Sequence, residues 1–300
     1  MFRRLSYVLL AITLLGSSFL ESSFAADTQA PAKSFLWEVK SSNNTIYIFG
    51  APGLGNPDLY PAPFWAEAAY TRAQVLAVEA DLSDEKRFTE DSAGMFYTKA
   101  DSLENHLSKE LYDEVYDFHA AQGLPIESSN RLKPFALALG LLNKEAKTVG
   151  LDPGYDASFY FIAKAQADHK PIVEVEGVKQ EIATLESLPK ALQEEMLKSA
   201  IENAGQGKWA VELQNEVAAY KSGDLDYYTE LDLKSYEKMP HGKDLRSALV
   251  ESRHPALAKK MGKYLDTGKV TFVVLSLGHM VGPNNLVDEL KKQGLKVERL

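Results

Sequence analysis

The strand-forming segments of this chain sit near its two ends, with a long helical stretch between them. That arrangement limits the fold more than any single motif does. Residues 35–40 and 45–49 are short apolar runs rich in β-branched and aromatic side chains. Ser41 to Asn44 separates them, and the Asn43-Asn44 pair tolerates the positive φ of a tight hairpin. Residues 75–79, 171–175, 270–275 and 295–299 read as further strands. Between them the period changes. Residues 62–73 predict a helix, and Leu103, Leu107, Leu111, Val115 and Phe118 recur at helical spacing. Residues 135–142 are apolar nearly all round, which predicts a central helix. More helices are expected after Tyr155, over most of 189–238, over 246–266 and over 284–292, the last capped by Gly294. The expected fold class is α/β, a small central mixed sheet with a large helical insertion, in one domain over 35–300.

An internal echo points to the business end of that sheet. Residues 45–54 overlay residues 271–280 without a gap: a Thr, four large apolar residues, a small residue, then a turn. Each copy predicts a buried strand ending in a loop at a sheet edge, where α/β proteins place their sites. The overlay puts Gly53 where the second copy has His279.

Arg3 and Arg4 precede an apolar stretch over 7–15 that is too short to span a bilayer comfortably. Ser23 and Ala25 then supply small residues at the −3 and −1 positions of a cleavage site. The expectation is a signal peptide over 1–25, cleaved after Ala25, then a disordered leader over 26–34. The rival is an uncleaved anchor. Cleavage makes the destination periplasmic or secreted, with no stable membrane anchor left. Cysteine is absent, which excludes disulfides, thiolate metal sites, cysteine nucleophiles and lipid anchoring through cysteine. The net charge is −9 with no basic block, a poor basis for binding nucleic acid.

The candidate site residues each have a competing structural role. His279 follows a buried strand in a turn flanked by Gly278 and Gly282; its plainer role is to bond a backbone carbonyl. Strand alternation puts Glu79 and Asp81 on one face, suited to a hard cation or to acid–base work. The alternative is an N-cap for a helix beginning near Ser83, which suits Asp81 better. Asp156 follows Pro153-Gly154 at a helix start, as cap or as ligand. Glu174 and Glu176 flank a strand end, one toward the site and the other toward solvent. Arg253 can clamp a carboxylate in a bidentate manner or form a structural ion pair. His254 offers an imidazole by another route, and Ser276 lies three residues before His279. His106 and His119 read as surface or boundary residues beside a helical stripe. His169 and His241 sit beside turns. No His-Glu-x-x-His, nucleophile elbow or phosphate-binding loop is present.

Five segments in order carry a resemblance: Leu36-Trp37 with Ile46 to Gly50 and Pro57 to Pro61; Val78 to Asp81; Gly154-Tyr155-Asp156 with Lys170 to Val173, Glu176 and Ser187-Leu188-Pro189; Arg253 and the helix after it; and Gly278 to Gly282 with Leu286, Leu290, Gly294 and Glu298. The chain resembles the TraB/PrgY/GumN family, whose relatives include the Tiki proteases. The resemblance implies a Tiki/TraB-like sheet with two strand-terminal Gly-x-x-His motifs and acidic residues converging on a divalent-metal protease site. It implies a metal held by Glu79, Asp81 and His279, catalysis involving Glu79, His279 and Arg253, and substrate contacts from Asp156, Glu176 and Ser276. The sequence departs from the pattern where the chemistry should be. The first motif reads Gly50-Ala51-Pro52-Gly53, without its histidine; the second reads Ser276-Leu277-Gly278-His279; the usual Arg-Asn pair is Arg253-His254. The expected consequence is a catalytically degenerate relative that holds Mn, Co or Zn weakly and binds a peptide, glycan or envelope protein. The alternative is an active, divergent metal-dependent hydrolase.

Overall fold

The computed structural model describes residues 34–300, so the expected signal peptide and all but the last residue of the leader lie outside the described residues. The chain opens with the expected hairpin, β1 (Leu36–Lys40) and β2 (Thr45–Ala51), antiparallel and in register from Leu36↔Phe49 to Lys40↔Thr45. Helix α1 (Phe64–Arg72) starts only after Pro63 and leads into β3 (Val75–Val78). The helical insertion then runs through α2 (Glu85–Asp91), α3 (Lys109–Ala121), α4 (Pro134–Thr148) and α5 (Ala157–Ala167) to β4 (Ile172–Glu174). It resumes with α6 (Val178–Glu186), α7 (Lys190–Asn203), α8 (Lys208–Ser222), α9 (Leu225–Glu237), α10 (Gly242–Leu249) and α11 (His254–Asp266). Strand β5 (Thr271–Ser276), helix α12 (Leu286–Lys292) and strand β6 (Lys296–Arg299) follow.

The six strands form one mixed sheet in the order β4-β3-β5-β2-β1-β6. Strand β5 lies in the middle, parallel to both β2 and β3, and every one of its residues is buried. A strand covered on both faces must be apolar throughout, and Thr-Phe-Val-Val-Leu-Ser is nearly so. Strand β6 closes the far edge antiparallel to β1, and its Lys-Val-Glu-Arg alternation puts charge on an exposed rim. The C-terminal ends of β2, β3, β4 and β5 therefore share one edge. There Ala51 pairs with Ser276, and Val78 pairs with both Val274 and Glu174.

Two apolar clusters fill the molecule. One surrounds the sheet, where Phe161 and Phe272 lie 4.7 Å apart and Phe49 and Tyr70 close the ring group. The other lies among the helices of the insertion, with Phe135 and Leu139 of α4 at its centre. Asn44 pins the hairpin to the segment before β5. Its side-chain amide donates to the carbonyls of Tyr264, Leu265 and Lys269 at 3.0–3.3 Å.

Several expectations need correction. The echo overlays Thr45 on Thr271, but the sheet pairs Ile46 with Thr271, one residue out of step. Leu103 and Leu107 are buried, yet α3 begins only at Lys109. His119 is buried rather than superficial; its Nδ1 meets the Val115 carbonyl and its Nε2 meets Ser129 Oγ, both at 2.9 Å. No helix among the described residues is long and apolar enough to cross a membrane.

Candidate functional site

The site forms where three chain segments meet at the C-terminal sheet edge. Strand β3 stops at Val78 and the chain bends at Glu79–Ala80. The Glu79 carbonyl accepts from the backbone N–H groups of Glu176 (3.0 Å) and Gly177 (2.8 Å), which locks the strand end to the turn after β4. Gly177 takes φ +102, a conformation that favours glycine, and from there α6 starts. Strand β5 ends in a 3-10 turn, Leu277–His279, that carries His279 back over the edge. The third segment is the 3-10 turn before α11, which presents Arg253 and His254; Pro255 stands in the first turn of α11, where its missing N–H leaves no bond unmade.

These segments bring Glu79 and His279 into contact: His279 Nε2 lies 3.0 Å from Glu79 Oε1. Arg253 is clamped on Glu176, its Nε at 3.0 and 3.1 Å from the two carboxylate oxygens and its Nη2 also bonded, with a further Nη2 approach of 3.9 Å to Glu79. Arg253 thus clamps a carboxylate of the chain itself, that of Glu176, in a buried ion pair. His254 Nε2 lies 3.1 Å from His279 Nδ1, and His254 Nδ1 lies 2.5 Å from the Asn284 carbonyl. Asn284 is held for this at φ +50 in a loop braced by buried Arg246, which donates to the carbonyls of Val281 (2.9 Å) and Pro283 (3.4 Å).

Asp81 does not share the face of Glu79. The strand has already ended, so alternation no longer governs it. Asp81 turns to Ser83, accepting from its N–H (3.0 Å) and its hydroxyl (2.6 Å). The cap of α2 is Asp84, which accepts from the Arg87 N–H at 3.0 Å. Glu174 accepts from the Asp81 N–H at 2.8 Å and pairs with Arg87, whereas Glu176 pairs with Arg253. Asp156 caps α5 through the Ser158 N–H at 2.7 Å and is itself buried near the cluster. Ser276 is buried at the end of β5.

Glu181, on the first turn of α6, is a member of this group that the sequence reading passed over. It is completely buried, and among the described residues neither of its carboxylate oxygens has a hydrogen-bond partner. Burial, then the negative charges of Glu79, Glu176 and Asp156, push its carboxyl well above the usual carboxylate range, and Arg253 offsets this only in part. Arg253 is held above its ordinary value despite burial, first by its hydrogen bonds to Glu176 and then by the charges of Glu79 and Glu181.

The chemistry available is proton exchange between a carboxylate and an imidazole, with a second imidazole behind them. His279 is 0% exposed, Glu79 1% and His254 1%, so solvent and substrate reach the pair only if the edge opens. Among the described residues no three His, Cys, Asp or Glu side chains are grouped as a metal-holding set. Glu79 and His279 alone of the expected three donors are together, and Gly53, buried in the β2 loop, brings no side chain. The side chains as arranged do not fit a three-ligand metal site.

The profile of the TraB/PrgY/gumN family matches residues 35–299, nearly all of the described chain. The chain belongs to the TraB/PrgY/gumN family. Two proteins similar to the chain are the uncharacterised protein YbaP of Escherichia coli (strain K12) and the uncharacterised protein YbaP of Shigella flexneri. Each is 26% identical over 147 residues, covering 49% of this chain and 54% of the relative. The chain thus spans about half the length of the curated relatives it matches. No solved structure matches it.

Proposed function

We propose that this TraB/PrgY/gumN protein acts in the periplasm or outside the cell as a catalytically degenerate relative of divalent-metal hydrolases, binding a peptide, glycan or envelope protein in the family cleft. The observation that carries the reading is the replacement of the first-motif histidine by Gly53, together with the turning of Asp81 to Ser83. Two of the donors such a hydrolase would use are thereby missing from the edge where Glu79 meets His279. Convergence of Glu79, His279 and Arg253 on that edge favours a second reading, an active peptidase-like enzyme whose metal site assembles as the edge opens.

Metal affinity separates the two. A carboxylate and one imidazole do not select a transition metal over Mg²⁺ or Ca²⁺. Isothermal titration of the native protein with Mn²⁺ and Zn²⁺ is expected to show weak binding, abolished in His279→Ala. The Gly53→His variant is expected to bind tighter, by at least the roughly 10- to 100-fold that loss of a mere supporting partner costs. Gly53 is buried, so the gain requires that the loop after β2 accept a side chain there. Tight one-to-one binding by native protein that survives His279→Ala places the metal elsewhere and defeats both readings of the site. Export has its own test. Intact mass of the exported material is expected to begin at Ala26, and a full-length, membrane-retained species would contradict the proposed location.

A further inference from the structure

We propose that His254 is a positioning residue that holds a proton on Nδ1 of His279, the ring nitrogen turned away from Glu79. The inference rests on the Glu79–His279 pair being the working centre of the edge. It begins with a group that can act in only one way. The Asn284 carbonyl accepts and cannot donate, so the His254 nitrogen 2.5 Å away, Nδ1, carries a proton. In neutral His254 the other nitrogen, Nε2, is then a bare acceptor. It lies 3.1 Å from His279 Nδ1, so that nitrogen must donate. His279 Nε2 is then the nitrogen that faces Glu79 Oε1, 3.0 Å away.

The order Asn284 carbonyl, His254, His279, Glu79 is therefore directional. It is set by a backbone oxygen whose loop is braced by Arg246 on Val281 and Pro283 and by Asn284 Nδ2 donating to Glu251 at 3.2 Å. Burial of both rings shields the order from competing water. The rings pack edge-on, centroids 5.2 Å apart and planes at 76°, with His254 Nε2 3.1 Å from His279 Nδ1.

The test is nitrogen-15 NMR of the imidazoles in the whole exported protein. In the native protein His254 is expected to show a protonated Nδ1 and an unprotonated Nε2, and His279 a protonated, exchange-protected Nδ1. His254→Leu removes the acceptor while filling the space, and the protected Nδ1–H resonance of His279 is expected to be lost. His254→Gln returns an acceptor oxygen on a side chain of similar reach and is expected to restore it. Circular dichroism and a cooperative melt establish that each variant is folded. If His254→Leu unfolds, the native spectrum decides alone. A His254 carrying its proton on Nε2 overturns the proposal. So does an unchanged His279 Nδ1–H resonance in folded His254→Leu. Metal titration of the same variants keeps this result apart from the functional reading, because the tautomer order can hold whether or not the edge binds a metal.

Discussion

Arg253→Met is expected to lower the stability of the fold by about 3–5 kcal/mol, the usual result of removing one partner from a buried ion pair. The guanidinium is clamped on Glu176 and approaches Glu79, and it offsets part of the negative field at Glu181. Methionine fills much of the same volume but leaves three glutamates at a buried edge without their cation. Arg253→Lys is expected to recover only part of the loss, because a single ammonium cannot reproduce the two-pronged contact with Glu176. The double variant Arg253→Met with Glu176→Gln is expected to be more stable than Arg253→Met alone, since one orphaned charge goes with its partner. Urea unfolding of the four proteins at neutral pH measures all of this. A loss below about 1 kcal/mol in Arg253→Met, the range of an exposed pair, would show that the edge is wetter than its burial indicates.

The second large effect has the opposite sign. Glu181→Leu is expected to stabilise the protein at about pH 8 by roughly 1–3 kcal/mol, the penalty for a buried polar group left without a partner. Its pH dependence follows from linkage. The folded state raises the proton affinity of Glu181, so above the ordinary carboxylate value, near about 4.3, folding takes up a proton that the unfolded chain has released. This contribution is fully present below the unfolded value and is lost as pH rises toward the folded one. The advantage of Glu181→Leu should therefore shrink as pH falls from about 8 to about 5. Unfolding free energies of both proteins at the two pH values check it. A leucine variant less stable than the native protein at the higher pH would show that the carboxylate anchors something.

The contrast between Glu79 and Glu181 shows what the sequence could disclose about this site. Glu79 ends an apolar β run, and a carboxylate there is conspicuous because its neighbours are Val, Leu and Ala. Glu181 stands beside Lys179 and Gln180 and looks like part of a solvated helix face. Yet Val178, Glu181, Ile182 and Leu185 fall at the spacing of a single helical stripe, and all four are buried. The same signal marks His254, which shares a stripe with Leu257, Ala258 and Met261. A charged or titratable residue inside an apolar stripe was the available clue in both cases. Asp81 failed for a different reason: alternation is a property of strands, and the strand had ended at Val78. The echo between residues 45–54 and 271–280 located the right strands but not their stagger, since pairing register depends on how the sheet is laid and not on residue type. The hairpin, the central β5 and the cap at Gly294, whose N–H donates to the Lys291 carbonyl, depended on local pattern and were legible.

The position of β5 has a consequence in time. The strand that joins β2 to β3 is more than two hundred residues downstream of the first of them. Until it is in place, the hairpin and β3 have no common neighbour, and the edge carrying Glu79 has no His279 to meet. Closing so long a loop is entropically costly and comes before any contact rewards it. The nascent chain can settle its helices early, but the sheet is assembled only once β5 (Thr271–Ser276) is available. A chain truncated before β5 would hold the helical insertion and two separate pieces of sheet, with no route to the site.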